Sequence, residues 1–167
     1  PNAMELARTK LFARLEELGI ASDTVEHEAL FTVEQSQALR GRIPGAHTKN
    51  LFLRDKDDRL VLVVAKEDTK VDLKALAKGL GLGRFSFGKP EQMMAVLGVE
   101  PGSVTALALI HEGSRALAAV VVDAALMDFS EVNCHPLVNR ATTRLATEDL
   151  LRFMRACGHE PLILPLS

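Results

Sequence analysis

The sequence predicts a single mixed α/β domain, and three observations carry that prediction. The chain has 167 residues, enough for one domain with a real core and too few for two ordinary ones. Short apolar runs with strand character alternate with segments of helical period. No repeat, low-complexity stretch or linker interrupts them.

The elements follow in order. Residues 1–3 read as a cloning remnant ahead of Met4, so the domain is taken as 4–167. Leu11, Leu15 and Leu18 recur at helical spacing, and Gly19 ends that helix. "SDTVEHE" is a short strand. Thr32 with Gln35 three residues on forms a capping box for a second helix, which ends at Gly41. "RIPGAHT" is a loop. "KNLFLRD" and "RLVLVVA" around the turn "KDD" form an antiparallel hairpin. Its second strand is almost continuously apolar, so it belongs at the centre of the sheet, covered on both faces.

"VDLKALAKGLG" is a short helix with a glycine stop, and "RFSFG" a short strand. Pro90 suits the first turn of the helix "PEQMMAVLG". "VTALALI" and "ALAAVVVD" read as strands joined by the turn "HEGSR". "EVNCHP" and "ATTRLA" are extended pieces, Thr147 caps the helix "EDLLRFMRACG", and "PLILPL" is a last strand.

Composition excludes several function classes. No apolar run is long enough to span a bilayer, and no secretory signal pattern is seen, so a cytoplasmic location is expected. A net charge of −2 argues against a general nucleic-acid coat, DNA included. With no Trp or Tyr, a stacking platform for single strands is disfavoured. Two distant cysteines make neither a disulfide framework nor a C-x-x-C pair. No metal-ligand spacing occurs, so no metal or other cofactor is expected.

Four features could carry chemistry. In "NCHPLVNRAT", Cys134 and His135 are neighbours on an extended segment, so their side chains point apart and cannot form a dyad. A Cys134 nucleophile would need another base, such as His27, His47, His111 or His159. Pro136 fixes the backbone beside His135 and holds that ring in one direction; the plainer reading is a structural histidine.

In "GAHTKNL", Lys49 enters a buried strand from a glycine-containing loop, where its ammonium could meet a phosphate or an ester carbonyl; the plainer reading is a solvated strand end. In "EPGSVTALAL", Gly102 permits a tight turn whose N–H groups could hold an oxyanion, although such turns are common. Lys70, Lys74 and Lys78 recur every four residues. They could follow a phosphate backbone or simply form a solvated face.

Taken together, "HTKNLFLRD…RLVLVVA", "GVEPGSVTALAL" and "NCHPLVNRATTRLATEDLLRFMRACGHEP" resemble, in order and spacing, the YbaK/prolyl-tRNA synthetase-associated editing domains, free-standing members in particular. The resemblance covers nearly the whole chain. It implies a mixed, mostly antiparallel, barrel-like sheet surrounded by helices. It also implies a deacylase that hydrolyses mischarged alanyl-tRNA(Pro) in trans, with no metal and no covalent intermediate, assisted by the substrate's ribose 2′-OH. Transient contact with prolyl-tRNA synthetase or an elongation factor would go with that role.

By the same resemblance, Lys49, Gly102 and His135 form the catalytic set. Asn50, Ser103 and Ala106 would contact the substrate, Ala106 standing where many relatives carry proline. The tRNA body would be held by Lys70, Lys74 and Lys78, or by Arg140 and Arg144. Rival readings are the same fold acting on cysteinyl- or seryl-tRNA(Pro), a non-catalytic binding module, and a thiol enzyme using Cys134.

Overall fold

The computed structural model describes residues 1–29, 33–41 and 43–167. Thr32 of the expected capping box lies outside them. Eight strands form one mixed sheet in the order β1-β7-β6-β2-β3-β5-β8, with β4 also on β2. They are β1 (Ser22–Glu26), β2 (Ala46–Arg54), β3 (Leu60–Lys66), β4 (Ser86–Phe87), β5 (Leu117–Asp123), β6 (Glu131–Cys134), β7 (Ala141–Ala146) and β8 (Leu162–Leu164). The helices are α1 (Ala3–Glu17), α2 (Val33–Arg40), α3 (Leu73–Gly79), α4 (Pro90–Leu97) and α5 (Thr147–Ala156). Antiparallel pairs join β1 to β7, β7 to β6, and β2 to both β3 and β4; β2–β6, β3–β5 and β5–β8 run parallel.

The central strand shows why the sequence adopts this sheet. Along β3, Leu60, Leu62 and Val64 enter one core, while Val61, Val63 and Ala65 enter another on the opposite face. A strand buried on both faces needs a continuous apolar run, which "LVLVVA" supplies. The larger core receives Leu11 and Leu15 of α1, Val96 and Leu97 of α4, and Leu150, Phe153 and Met154 of α5. The smaller is closed by Leu76 and Ala77 of α3 with Phe85 and Leu166. The β2–β3 hairpin is in register from Thr48↔Lys66 to Arg54↔Leu60, as the sequence predicts.

Several sequence expectations need correction. "VTALALI" is not a strand: Ala106–Ile110 forms a 3-10 turn, opened by Thr105, whose hydroxyl accepts from the Leu107 N–H. Ala106, Leu107, Ala108 and Leu109 are all buried, a pattern without a solvent side. β5 already has parallel partners on both sides, β3 and β8, so no place remains for an antiparallel hairpin mate. "HEGSR" belongs to a second 3-10 turn, Glu112–Ala116, and Ala124–Asp128 forms a third.

Thr147 is not the cap of α5. It is the first helical residue, and its hydroxyl donates to the Phe129 carbonyl at 2.6 Å. Within the stretch read as a cloning remnant, Asn2 caps α1 by accepting from the Glu5 N–H at 2.8 Å. The expected loop "RIPGAHT" gives up Ala46–Thr48 to β2.

Candidate functional site

The start of β2 and the end of β6 lie side by side, paired at Ala46↔Val132 and His47↔Asn133. β7 returns antiparallel on the other side of β6, with Cys134↔Thr143. A cavity of about 160 Å³ opens at this end of the sheet. Its wall takes His47 and Thr48 from β2, Asn133 and Cys134 from β6, His135 and Asn139 from the following loop, and Thr142 from β7. Gly102, Leu39 of α2 and Glu67 complete it. Liquid water occupies about 30 Å³ per molecule, so the space suits a few waters or one small aminoacyl group.

The local sequence explains the shape. Gly45, at φ 93, turns the chain into β2; a side chain there would meet Asn133 Nδ2 and the Glu131 carbonyl at 3.1 Å. Asn133 fastens that turn by donating from Nδ2 to the carbonyls of Pro44 (2.9 Å) and Ala46 (3.2 Å). Its Oδ1 is buried without a partner among the described residues. In the loop after β6, buried Leu137 holds φ 70, a left-handed conformation that costs a branched residue roughly 1–2 kcal/mol. Backbone strain of this kind persists only where the surroundings enforce it, and here it lies between His135 and Asn139.

His135 sits half-buried with Nδ1 3.4 Å from the Ala141 carbonyl. A carbonyl only accepts, so this contact places the proton on Nδ1 and leaves Nε2 with its lone pair. Burial lowers the pKa of His135; the Ala141 carbonyl works the other way, and the charge of nearby His27 adds to the lowering. The imidazole is therefore neutral at pH 7. Cys134 is buried, and burial pushes its thiol up to about 12 despite a weak contact from Thr48. A nucleophilic thiolate is thus disfavoured at neutral pH. Among the described residues, no group of three or more His, Cys, Asp or Glu is arranged to hold a metal.

Of the sequence-predicted residues, the fold brings Gly102 and His135 to one cavity. Gly102 has φ 91 and is exposed at the rim, with Asn139 Nδ2 3.8 Å from where a Cβ would stand. The neighbouring Ser103 N–H is committed to the Glu100 carbonyl at 3.0 Å, and Ser103 does not line the wall. Ala106 is fully buried in the larger core, away from the cavity wall. Lys49 follows Thr48 and so faces the other side of β2, opposite Ala65 of the smaller core. Its ammonium donates to the Thr69 carbonyl. Asn50 pairs with Val64, and its buried Oδ1 has no partner among the described residues.

Lys74 and Lys78 are exposed one turn apart on α3, and Lys70 is exposed just before it. Arg140 is exposed beside the cavity loop. Arg144 is held in ion pairs with Asp23 (2.9 Å) and Glu131 (3.4 Å), which offset its charge.

Sequence reasoning missed His47, Thr48, Asn133, Asn139 and Thr142 as wall residues. One signal was available. Asn133, Asn139 and Thr142 all stand in "NCHPLVNRAT", polar residues packed into a stretch that otherwise has core character.

Comparison with known proteins bears on both chain and fold. The family model of the aminoacyl-tRNA editing domain matches residues 27–153. The Bos taurus prolyl-tRNA synthetase associated domain-containing protein 1 is 38% identical over 162 residues, covering 94% of each chain. The prolyl-tRNA editing protein ProX of Acetoanaerobium sticklandii is 34% identical over 154 residues, covering 92% of this chain and 93% of its own. A crystal structure described as a candidate trans-editing enzyme for prolyl tRNA synthetase superposes with a TM-score of 0.72. It covers 96% of this chain and 98% of its own at 21% identity, a likeness of fold alone.

Proposed function

The chain belongs to the aminoacyl-tRNA editing domain family, and on that premise we propose that it hydrolyses alanyl-tRNA(Pro) in trans. The observation that carries this reading is the cavity itself. It is small, its wall is rich in polar groups, and its one thiol is held protonated. Such a site suits the hydrolysis of an ester that is already activated, where a positioned water and a polarised carbonyl suffice.

In the proposed reaction, water adds to the ester carbonyl carbon. The tetrahedral adduct then expels the ribose 3′ oxygen, which takes up the proton the water gives up, assisted by the neighbouring 2′-OH. Free alanine and tRNA with its 3′-OH result. The Gly102 N–H is the oxyanion donor in this scheme; no bond to it occurs among the described residues. Neutral His135 presents Nε2 to the aminoacyl group. Lys49 releases the Thr69 carbonyl to meet the phosphate of the terminal adenosine. Asn50, next on β2, pairs with Val64 of the larger core and so faces the side opposite Lys49, where it is the weaker candidate for a polar contact. Exposed Lys70, Lys74, Lys78 and Arg140 hold the tRNA body, with Arg144 a weaker contributor because its charge is paired.

Size supplies the selectivity. A synthetase pocket shaped for proline rejects the smaller alanine weakly, because each missing methylene is worth only about 1–3 kcal/mol. A second site too small for proline corrects the error. Prolyl-tRNA synthetase or an elongation factor is the expected transient partner, in the cytoplasm.

The test is deacylation of alanyl-, cysteinyl-, seryl- and prolyl-tRNA(Pro) side by side. The alanyl ester is expected to turn over fastest and the prolyl ester to survive. Hydrolysis of the prolyl ester at an equal rate, or of none of the four, would refute the reading. Preference for the cysteinyl or seryl ester would reassign the substrate.

A further inference from the structure

Thr142 is 7% exposed and lines the cavity. Its Oγ1 lies 2.9 Å from His27 Nε2, and His27 Nδ1 lies 2.7 Å from the Glu28 carbonyl. Because that carbonyl can only accept, Nδ1 carries the ring proton and Nε2 of the neutral ring is bare. The Thr142 hydroxyl therefore donates to His27. Its hydrogen is committed away from the cavity, and what it can offer the cavity is oxygen lone pairs.

The ring is also held in place. The β1–β7 pairing ends at Glu26↔Ala141, and the next residue, His27, donates its backbone N–H to the Arg140 carbonyl at 2.8 Å. The bond from Thr142 thus crosses between two segments that the sheet has already aligned.

We propose that His27 is a positioning residue for the hydrolysis: it fixes Thr142 as an acceptor that holds the attacking water by one O–H. The water's own lone pair is then free to face the ester carbonyl. This rests on the deacylase reading above. Protonation of His27 reverses the pattern, because Nε2–H then donates to Thr142 and the hydroxyl hydrogen is released toward the cavity. A donor there would hold the water by its lone pair, the wrong way round for attack.

The charged and titratable groups about His27 are Glu26 and Glu28 on its own segment, Arg8 of α1 paired with Glu26 at 2.9 Å, and Arg140 and His135 on the chain leading into β7.

The experiment combines kinetics with nitrogen NMR. Single-turnover hydrolysis of alanyl-tRNA(Pro) is measured for wild type, His27→Ala, His27→Gln, Thr142→Val and the His27→Ala/Thr142→Val double variant. We expect His27→Ala and Thr142→Val each to lower kcat about tenfold with KM little changed, a loss the size of one misdirected hydrogen bond. The double variant should be no slower than either single one. His27→Gln, whose amide oxygen can still accept from Thr142, should recover most of the rate. In the wild-type protein, ¹⁵N spectra should show the His27 proton on Nδ1.

A neutral His27 protonated on Nε2, additive losses in the double variant, or full rate in Thr142→Val each overturns the proposal and leaves the deacylase reading standing. A wild-type protein that cleaves no ester overturns both.

Discussion

Burial decides the chemistry of Cys134. Its thiol, raised to about 12, packs in the larger core with Leu137 and Val132, so it is part of the wall and poorly suited to act as a nucleophile. Cys134→Ser should keep the wild-type kcat for alanyl-tRNA(Pro) and lose about 1–3 kcal/mol of stability, the cost of an apolar site gaining a hydroxyl. A drop in kcat of a hundredfold or more in a folded variant would restore the thiol mechanism. At this scale the site was partly legible. His135 and Gly102 could be marked from Pro136 beside the one and the turn around the other. Thr142 and His27 could not be paired from sequence, because the bond between them crosses 115 positions and depends on the β1–β7 register. Lys49 could be located on its strand, yet its face follows from the pairing with Ala65, which a sequence alone does not state.

Elements succeed or fail here according to how local their causes are. The β2–β3 hairpin, α4 with Pro90 at its start and Gly98 in the left-handed C-cap, and α3 capped by Asp72 are each written in adjacent residues, and each stands where the sequence predicts. "VTALALI" carries strand-like residues, but tertiary burial on all sides turns Ala106–Ile110 into a 3-10 segment. Burial of that kind is invisible to periodicity. β4 shows how tight a short element can be. Gly88 follows it, and a Cβ there would stand 2.3 Å from the ring of Phe52, itself buried. The Gly88 N–H also bonds the Phe52 carbonyl at 2.8 Å, so neither side can retreat. Gly88→Ala should cost about 1–3 kcal/mol in denaturant unfolding, the usual penalty for overpacking. A loss under about 0.5 kcal/mol would mean that the β2–β4 pairing is slack.

The whole molecule carries slight negative charge, so the proposed grip on tRNA would have to be local. Replacing Lys74 and Lys78 with Gln should weaken binding of tRNA(Pro) and flatten the dependence of log affinity on log salt by roughly 0.7–0.9 for each phosphate that is no longer neutralised. An unchanged slope would assign the α3 face to solvent. The two cores share β3 and β5, which lets opposite faces of one sheet serve a single fold. The sheet is also closed late in the chain. β1 pairs with β7 from Ser22↔Leu145 to Glu26↔Ala141, a connection spanning roughly 120 residues. During synthesis at about 5–20 residues per second, the first strand emerges on the order of ten seconds before its partner exists. The cavity needs β2, β6 and β7 together, so a nascent or truncated chain ending before Thr142 cannot build its wall.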